Sequence, residues 1–334
     1  MPFTVRLKNR TGSFIVIEGE TILDAALRQD YFIPYSCHEG ICGTCQGTVL
    51  EGSVEHYHAD DLHLTADELA KGSALFCSAT PRSDLMIDAP GIRVPAIKQL
   101  PQFHYQLIHL QALNECVFQA TLKPTETTLD YLAGQYLEVL LLDEEARPFS
   151  IANAPLGDGH IQLHIRYQKD NAYAVKLIQH LRKQQSLDFY GAKGHCLYHP
   201  IPSMPTIMIA GGTGFAPLKA IIEQALSVPL TQPLTLYWTA KRFDDLYLHE
   251  LALQWDRYVP HFRYVPVLTG NNIPATWMGS TGSVYRVIQQ QQITLKNHHV
   301  YISGPFSLTQ DAFTHLNPLG LAHYYLYSDA IDYL

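Results

Sequence analysis

No stretch of this sequence approaches the roughly 18 to 20 consecutive apolar residues that would span a bilayer. The apolar run at Tyr136–Leu142 is strand-sized and ends in Asp143-Glu144-Glu145. Charge is scarce, 16% of residues, and basic charge scarcer still: 23 Lys and Arg against 31 Asp and Glu leave a net −8. That balance argues against a general nucleic-acid binder. The N-terminus runs from Met1-Pro2-Phe3 straight into strand-like alternation, with no charged-then-apolar leader. A cytoplasmic protein without a membrane span is therefore expected. Cysteine, six in 334 residues, is too sparse for a disulfide scaffold. Apolar residues, in contrast, make up 47%, enough to fill several cores, and the length suggests two or three domains.

The few cysteines are unevenly placed. Cys37, Cys42 and Cys45 stand in Ser36-Cys37-His38-Glu39-Gly40-Ile41-Cys42-Gly43-Thr44-Cys45, and Cys77 follows in Leu75-Phe76-Cys77-Ser78. This C-x4-C-x2-C…C spacing suits a [2Fe–2S] rhomb, which needs two thiolates per iron. A tight loop brings three ligands around one side, and the fourth comes from a separate element. Gly40 and Gly43 allow positive φ and turn backbone N–H groups toward sulfur, stabilising an anionic cluster. Zinc is the competing metal for soft thiolates, although structural zinc usually takes its ligands as two short pairs. His56, His58 and His63 beside Asp60 and Asp61 read as a solvated loop rather than a second metal site. Cys116 and Cys196 are isolated and read as buried small hydrophobes. Around the cysteine loop, Phe14–Ile17 reads as a strand and Thr48–Val54 as a strand and turn. Thr21–Leu27 reads as a helix with Thr21 as N-cap.

Pro90-Gly91, Pro95 and Pro101 mark a stiff linker. Beyond it, Tyr105–Leu110, Glu115–Leu122, Tyr136–Leu142 and His160–Tyr167 suggest an antiparallel barrel. A helix is predicted at Ala172–Lys183, with Val175, Leu177, Ile178 and Leu181 on its apolar face. The stretch Arg147-Pro148-Phe149-Ser150-Ile151-Ala152 sets a proline where a central strand would not tolerate it. Next, the buried-strand run Pro205–Ala210 leads into Gly211-Gly212-Thr213-Gly214-Phe215-Ala216-Pro217 and a helix bearing Leu218, Ile221, Ile222 and Ala225. A strand, a glycine loop and a helix N-terminus form a phosphate site, with Pro217 tolerated in the first helical turn. A mere tight βα turn is the alternative, since the spacing is not G-x-G-x-x-G. Strands at Thr235–Thr239, Phe262–Leu268 and Val300–Ser303, alternating with helices, suggest a parallel α/β sheet.

Through its cysteine loop, the region 1–93 resembles the plant-type [2Fe–2S] ferredoxin domain, with His38 where the family often has Arg. Arg147-Pro148-Phe149-Ser150, then Gly211–Pro217, then Ser303-Gly304-Pro305 resemble the ferredoxin–NADP reductase superfamily over about residues 102–334. The whole chain is similar to reductase components of bacterial oxygenases. Within them it is most similar to the branch of NAD(P)H–flavin reductases and CDP-6-deoxy-glucoseen reductase, through Asn171-Ala172-Tyr173-Ala174 and Tyr327-Ser328-Asp329-Ala330 as well. The fold so implied is multidomain α+β and α/β. It comprises a β-grasp ferredoxin domain (1–93), a linker (94–101), an antiparallel flavin-binding β-barrel (102–200) and a parallel α/β NAD(P)-binding domain (201–334).

The resemblance implies [2Fe–2S], FAD and NADH as cofactors, with NADPH as the alternative nucleotide. Arg147, Pro148, Phe149 and Ser150 would border the isoalloxazine, Ser150 near N5 and Arg147 on the phosphate or ribityl side. His164, Ile165 and Tyr167 would lie on the flavin-lining strand. Gly211, Gly212, Thr213 and Gly214, with Pro217, would hold the nucleotide pyrophosphate. Thr239, Lys241, Arg242 and Asp245 would face the adenosine end. Ser303, Gly304 and Pro305 would meet the nicotinamide, making Ser150 and Ser303 the candidate catalytic side chains. Phe149 stands for a common Tyr, Ser303 for a common Cys, and the usual Gly-x-x-Ser is absent at Asp170–Tyr173, as in relatives that exchange their flavin. The Lys241-Arg242 pair would suit a 2′-phosphate, but Asp244 and Asp245 would repel it, so NADH is expected. Hydride would pass to the flavin as a pair of electrons and leave it singly through the cluster, the protein supplying orientation and electrostatics. The expected acceptor is a partner protein, an oxygenase or dehydratase component. A free-flavin reductase and a non-enzymatic redox sensor are the rival readings.

Overall fold

The computed structural model describes residues 2–328 except 9–11, 18, 30, 36–39, 41, 42, 57–63, 93–100, 142–145, 156, 169, 170, 195, 199–203, 311 and 322–324. The chain forms two compact units, Met1–Gln99 and Leu100–Leu334. Most of the predicted linker, 94–100, lies outside the described residues.

The first unit carries strands β1 (Phe3–Leu7), β2 (Ser13–Val16), β3 (Gln46–Glu51), β4 (Val54–His56), β5 (Ser73–Leu75), β6 (Ala79–Pro81) and β7 (Leu85–Asp88). Its helices are α1 (Ile22–Arg28) and α2 (Ala66–Ala70). The main sheet runs β2-β1-β7-β3-β5, with β1 and β7 parallel at its centre, the β-grasp arrangement. α1 begins where expected: the Asp24 N–H donates to the Thr21 hydroxyl oxygen (3.1 Å). Its buried Ile22, Leu23, Ala25 and Ala26 share a core with Val5, Phe14, Phe76 and Ile87.

In the second unit, β8 (Gln102–Ala112), β9 (Val117–Pro124), β10 (Tyr136–Leu140), β11 (Arg147–Ser150), β12 (Ile161–Arg166) and β13 (Ser186–Lys193) form an antiparallel sheet ordered β11-β10-β13-β8-β9-β12. Its end strands meet where Ile151 bridges Leu163 and the Ala152 N–H donates to Gln162 O (2.7 Å), closing a barrel. Pro148 sits on β11, at the end of the strand order, where a missing N–H does least harm. Helix α3 (Ala172–Gln184) adds Ala174, Leu177, Ile178 and Leu181 to the barrel core, each large side chain contributing roughly 1.5–3 kcal/mol by burial. Val175, expected on that face, is only half-buried, and Ala174 lies there instead.

The rest of this unit is β14 (Thr206–Gly211), α4 (Phe215–Ala225), β15 (Leu234–Ala240), α5 (His249–Tyr258), β16 (Phe262–Leu268), β17 (Ser280–Thr281), α6 (Val284–Gln290), β18 (His299–Ser303), α7 (Phe306–Thr309), α8 (Ala312–Leu316) and β19 (Leu326–Tyr327). The strands are parallel, in the order β17-β16-β15-β14-β18-β19. Strand alternation splits β14 between two cores, Met208 and Ala210 on the α4 face and Ile207 and Ile209 on the α6 face. α4 is buried almost all round, and barrel residues Val117, Ala133 and Cys196 share the core that it forms with the sheet. No helix among the described residues is long and apolar enough to cross a membrane.

Candidate functional site

In the first unit Cys45 immediately precedes β3 and Cys77 follows β5. Gln46 pairs with Leu75, and the Phe76 N–H donates to Cys45 O (3.2 Å), so both cysteines leave the same end of this strand pair. Both are buried. The Gly40 N–H donates to Cys77 Sγ (3.2 Å), and Gly40 and Gly43 adopt φ of +74° and +75°. Gly47 is obligatory for another reason: a Cβ there would sit 2.3 Å from the Phe76 ring. Two buried thiols with a backbone N–H aimed at sulfur make up half of the four-thiolate set that a [2Fe–2S] cluster takes. Cys37, Cys42, His58, Asp60, Asp61 and His63 lie outside the described residues.

In the second unit a 3-10 turn at Gly212–Gly214 links β14 to α4, whose first turn has no side-chain cap. A Cβ on Gly214 would fall 2.1 Å from Ser303 O, and one on Gly211 would meet Pro305 Cδ at 2.8 Å and Gly304 Cα at 3.4 Å. The glycine loop and Ser303-Gly304-Pro305 are thus packed backbone to backbone. This packing by itself requires two of the three glycines, a reason the sequence did not show. Gly212 alone takes positive φ, +53°. Its carbonyl accepts from Trp238 Nε1 (3.0 Å), and Trp238 stacks on Phe215 (3.9 Å). Pro217 is buried in the first turn of α4.

A cavity of about 590 Å³ opens where the loops after β15 and β16 meet, at the carboxyl ends of the parallel strands. Lys241, Arg242 and Asp245 line it with Phe243 and Asp244. Arg242 is held by Asp245 (Nη2–Oδ1 3.2 Å), which raises the guanidinium pKa further above its usual value. Thr239 is not on the lining: it is buried opposite Gly211, its hydroxyl without a partner among the described residues. The barrel contributes Cys116, Arg166 and Gln168. Cys116 is half-exposed on this cavity, not a buried core residue as its isolation in sequence suggested, whereas Cys196 is buried. Sequence reading passed over Arg166 altogether. Its guanidinium would stand 3.0 Å from a Cβ on Gly212, so it joins the cavity to the glycine loop. An Arg one residue beyond His164-Ile165 on an otherwise buried strand was the available signal.

Arg147 and Pro148 are exposed on β11, and Phe149 and Ser150 are half-buried. Phe149 stacks on Tyr173 (6.1 Å), whose hydroxyl donates to Val139 O (2.7 Å), so β11 and the start of α3 are adjacent. Asn171 caps α3 by accepting from the Ala174 N–H (3.1 Å). Ile165 lies in the barrel core, and Tyr167 packs edge-on against Phe118 (5.8 Å). His164 faces the opposite way: its Nδ1 is 3.0 Å from the Tyr247 hydroxyl, and both groups are buried.

Burial, and then the nearby Lys219 charge, push the His164 pKa down from 6.5 to about 3. The folded chain therefore refuses a proton that the unfolded chain binds below pH 6.5, and stability falls as the pH drops through that window. From pH 7 to pH 5 this group should cost about 2 kcal/mol. Unfolding midpoints measured at the two pH values should differ less in His164→Gln than in the parent. An equal difference would show that His164 does not titrate this way.

Residues 6–82 match the family described as 2Fe-2S iron-sulfur cluster binding domain. Residues 109–198 match the oxidoreductase FAD-binding domain, and 208–313 the oxidoreductase NAD-binding domain. The chain is 32% identical over 332 residues to the CDP-6-deoxy-L-threo-D-glycero-4-hexulose-3-dehydrase reductase of Yersinia pestis, covering 99% of this chain and 98% of that one. It is 29% identical to the terephthalate 1,2-dioxygenase reductase component 2 of Comamonas, over 92% and 91% of the two chains. Among solved structures, an Amycolatopsis cytochrome P450 reductase aligns over 98% of each chain with 26% identity and a TM-score of 0.64.

Proposed function

Because the chain belongs to the iron–sulfur flavoprotein reductases, NAD(P)H-dependent oxidoreductases that join [2Fe–2S], FAD and NAD modules, we propose that it carries electrons from NADH to an oxygenase or deoxysugar dehydratase component. The observation that carries the reading is the buried Cys45–Cys77 site with its N–H···S bond, on one chain with a cavity at the carboxyl ends of the parallel strands that Arg166 joins to the glycine loop. When bound, FAD would supply two-electron acceptance of a hydride and the cluster one-electron transfer onward.

The residues then have definite tasks. Cys37, Cys42, Cys45 and Cys77 hold the irons, and the Gly40 N–H tempers the charge on sulfur. Arg147, Pro148, Phe149 and Ser150 border the flavin, Phe149 kept in place by Tyr173. The uncapped N-terminus of α4 and Arg166 receive the nucleotide pyrophosphate. Lys241, Arg242 and Asp245 meet its adenosine, while Ser303-Gly304-Pro305 supports the glycine loop. The three-part division into 1–93, 102–200 and 201–334 belongs to the same proposal. So does a cytoplasmic setting, where NADH is regenerated.

Purified protein should contain two irons, two sulfides and one FAD, as the [2Fe–2S] and FAD assignment requires, and should reduce cytochrome c with NADH. Zinc in place of iron would overturn the proposal. Release of FAD on gel filtration, with steady reduction of added flavin and none of cytochrome c, would favour the free-flavin reaction.

Nucleotide choice has its own test. Asp245 neutralises Arg242 and adds negative charge where a 2′-phosphate would lie. Asp245→Asn should lower the ratio of kcat/KM for NADH to that for NADPH about tenfold. An unchanged ratio would separate this pair from specificity.

A further inference from the structure

Lys219 is a lysine on the helix that follows the glycine loop, and it is almost completely buried. Its Nζ donates to Ala152 O (2.9 Å), Gln162 Oε1 (3.3 Å) and Glu223 Oε1 (2.6 Å). The other carboxylate oxygen of Glu223 accepts from the Ala154 N–H (3.1 Å). All three ammonium protons are thus placed, and every acceptor but Glu223 belongs to the barrel. The barrel residues are particular ones. Ala152–Ala154 continue directly from β11, the strand of Arg147–Ser150, and Gln162 lies on β12 where the barrel closes. Asn153 reinforces the junction, its Oδ1 accepting from the Gln162 N–H (2.7 Å) and its Nδ2 donating to His160 O (3.0 Å).

Stability alone does not account for this charge. Desolvating an ammonium and a carboxylate costs several kcal/mol, and an apolar pair of similar volume is often as stable or more so. Hydrogen bonds of fixed length and direction provide what apolar packing lacks, a single register between two elements. One of these elements opens on the glycine loop, and the other is the continuation of the proposed flavin strand.

We propose that Lys219, held by Glu223 and Gln162, is a positioning residue that sets the flavin strand against the nucleotide loop and so fixes the approach of nicotinamide to flavin. The inference rests on the reading that NADH reduces a flavin bound at Arg147–Ser150. Because a displacement of about 1 Å at a reacting pair can cost 10²-fold in rate, losing the register should slow hydride transfer far more than it weakens binding.

The test is Lys219→Met in the full holoprotein, followed by rapid mixing with NADH under anaerobic conditions. Expected are a limiting rate of flavin reduction about tenfold to a hundredfold lower and an NADH dissociation constant within about threefold of the parent. Hydrogen exchange of the same holoprotein should be faster at the amides of residues 151–154. Lys219→Arg should recover part of the rate. Glu223→Gln keeps volume and the Ala154 bond, should give a smaller version of the same pattern, and carries the test if Lys219→Met does not fold. Faster exchange with an unchanged limiting rate would overturn the proposal, leaving a structural ion pair. A parent protein whose flavin NADH does not reduce would instead overturn the reading beneath it.

Discussion

Cys45→Ser is expected to abolish NADH-driven cytochrome c reduction, by about 100-fold or more, while ferricyanide reduction stays within about twofold of the parent. Cys45 is buried beside Cys77, whose sulfur already accepts the Gly40 N–H. A hard serine oxygen is a poor substitute for a soft thiolate on iron, so the substituted site should lose the cluster or its potential. The residues proposed for flavin and nicotinamide lie wholly within Leu100–Leu334, and Cys45 lies within Met1–Gln99. A lesion at Cys45 should therefore leave hydride uptake intact, which ferricyanide reports directly. Iron and sulfide analysis should fall with the cytochrome activity. Full cytochrome reduction by an iron-free variant would take the cluster off the electron path.

Gly214→Val should remove NADH-driven flavin reduction almost entirely, again by about 100-fold or more, while the cluster absorbance remains. The added Cβ would lie 2.1 Å from Ser303 O, 2.3 Å from Ser303 C and 2.5 Å from Gly304 N. These are backbone atoms at the end of the paired strand β18 and the residue directly after it, so no rotamer change relieves the clash. The loop must shift, and it carries both the first turn of α4 and the surface beneath Arg166. Backbone conformation is not the cause, since Gly214 has an ordinary φ of −59°. Gly157→Asn makes the control, because nothing lies within 4 Å of its Cβ and Asn tolerates its φ of +81°. If NADH-driven reduction survives in Gly214→Val, the loop is not part of the nucleotide site.

Features whose cause is local were legible in the sequence. The spacing of Cys37, Cys42 and Cys45, the cap at Thr21 and the buried-strand run of β14 each express what a short segment can do by itself. The proline in Arg147–Ser150 likewise signalled a strand at the end of a sheet order, and β11 is one. The burial of Lys219 was not legible. A lysine five residues into a helix reads as solvated, and it is the barrel residues Ala152 and Gln162, brought against α4 by the fold, that take up its ammonium. Cys116 and Arg166 escaped for the same reason, since the cavity they line is completed by loops more than 70 residues later in the chain.

The order of motifs along the chain, thiol loop, Arg-Pro-Phe-Ser strand and glycine loop, was determined by sequence alone, because each motif is built from neighbours in covalent register. Tertiary structure decided why Gly211 and Gly214 cannot carry side chains, which charge Asp245 neutralises and what surrounds Lys219. Those answers depend on contacts between segments far apart in the chain, and such contacts exist only once the sheets and the barrel have closed on one another.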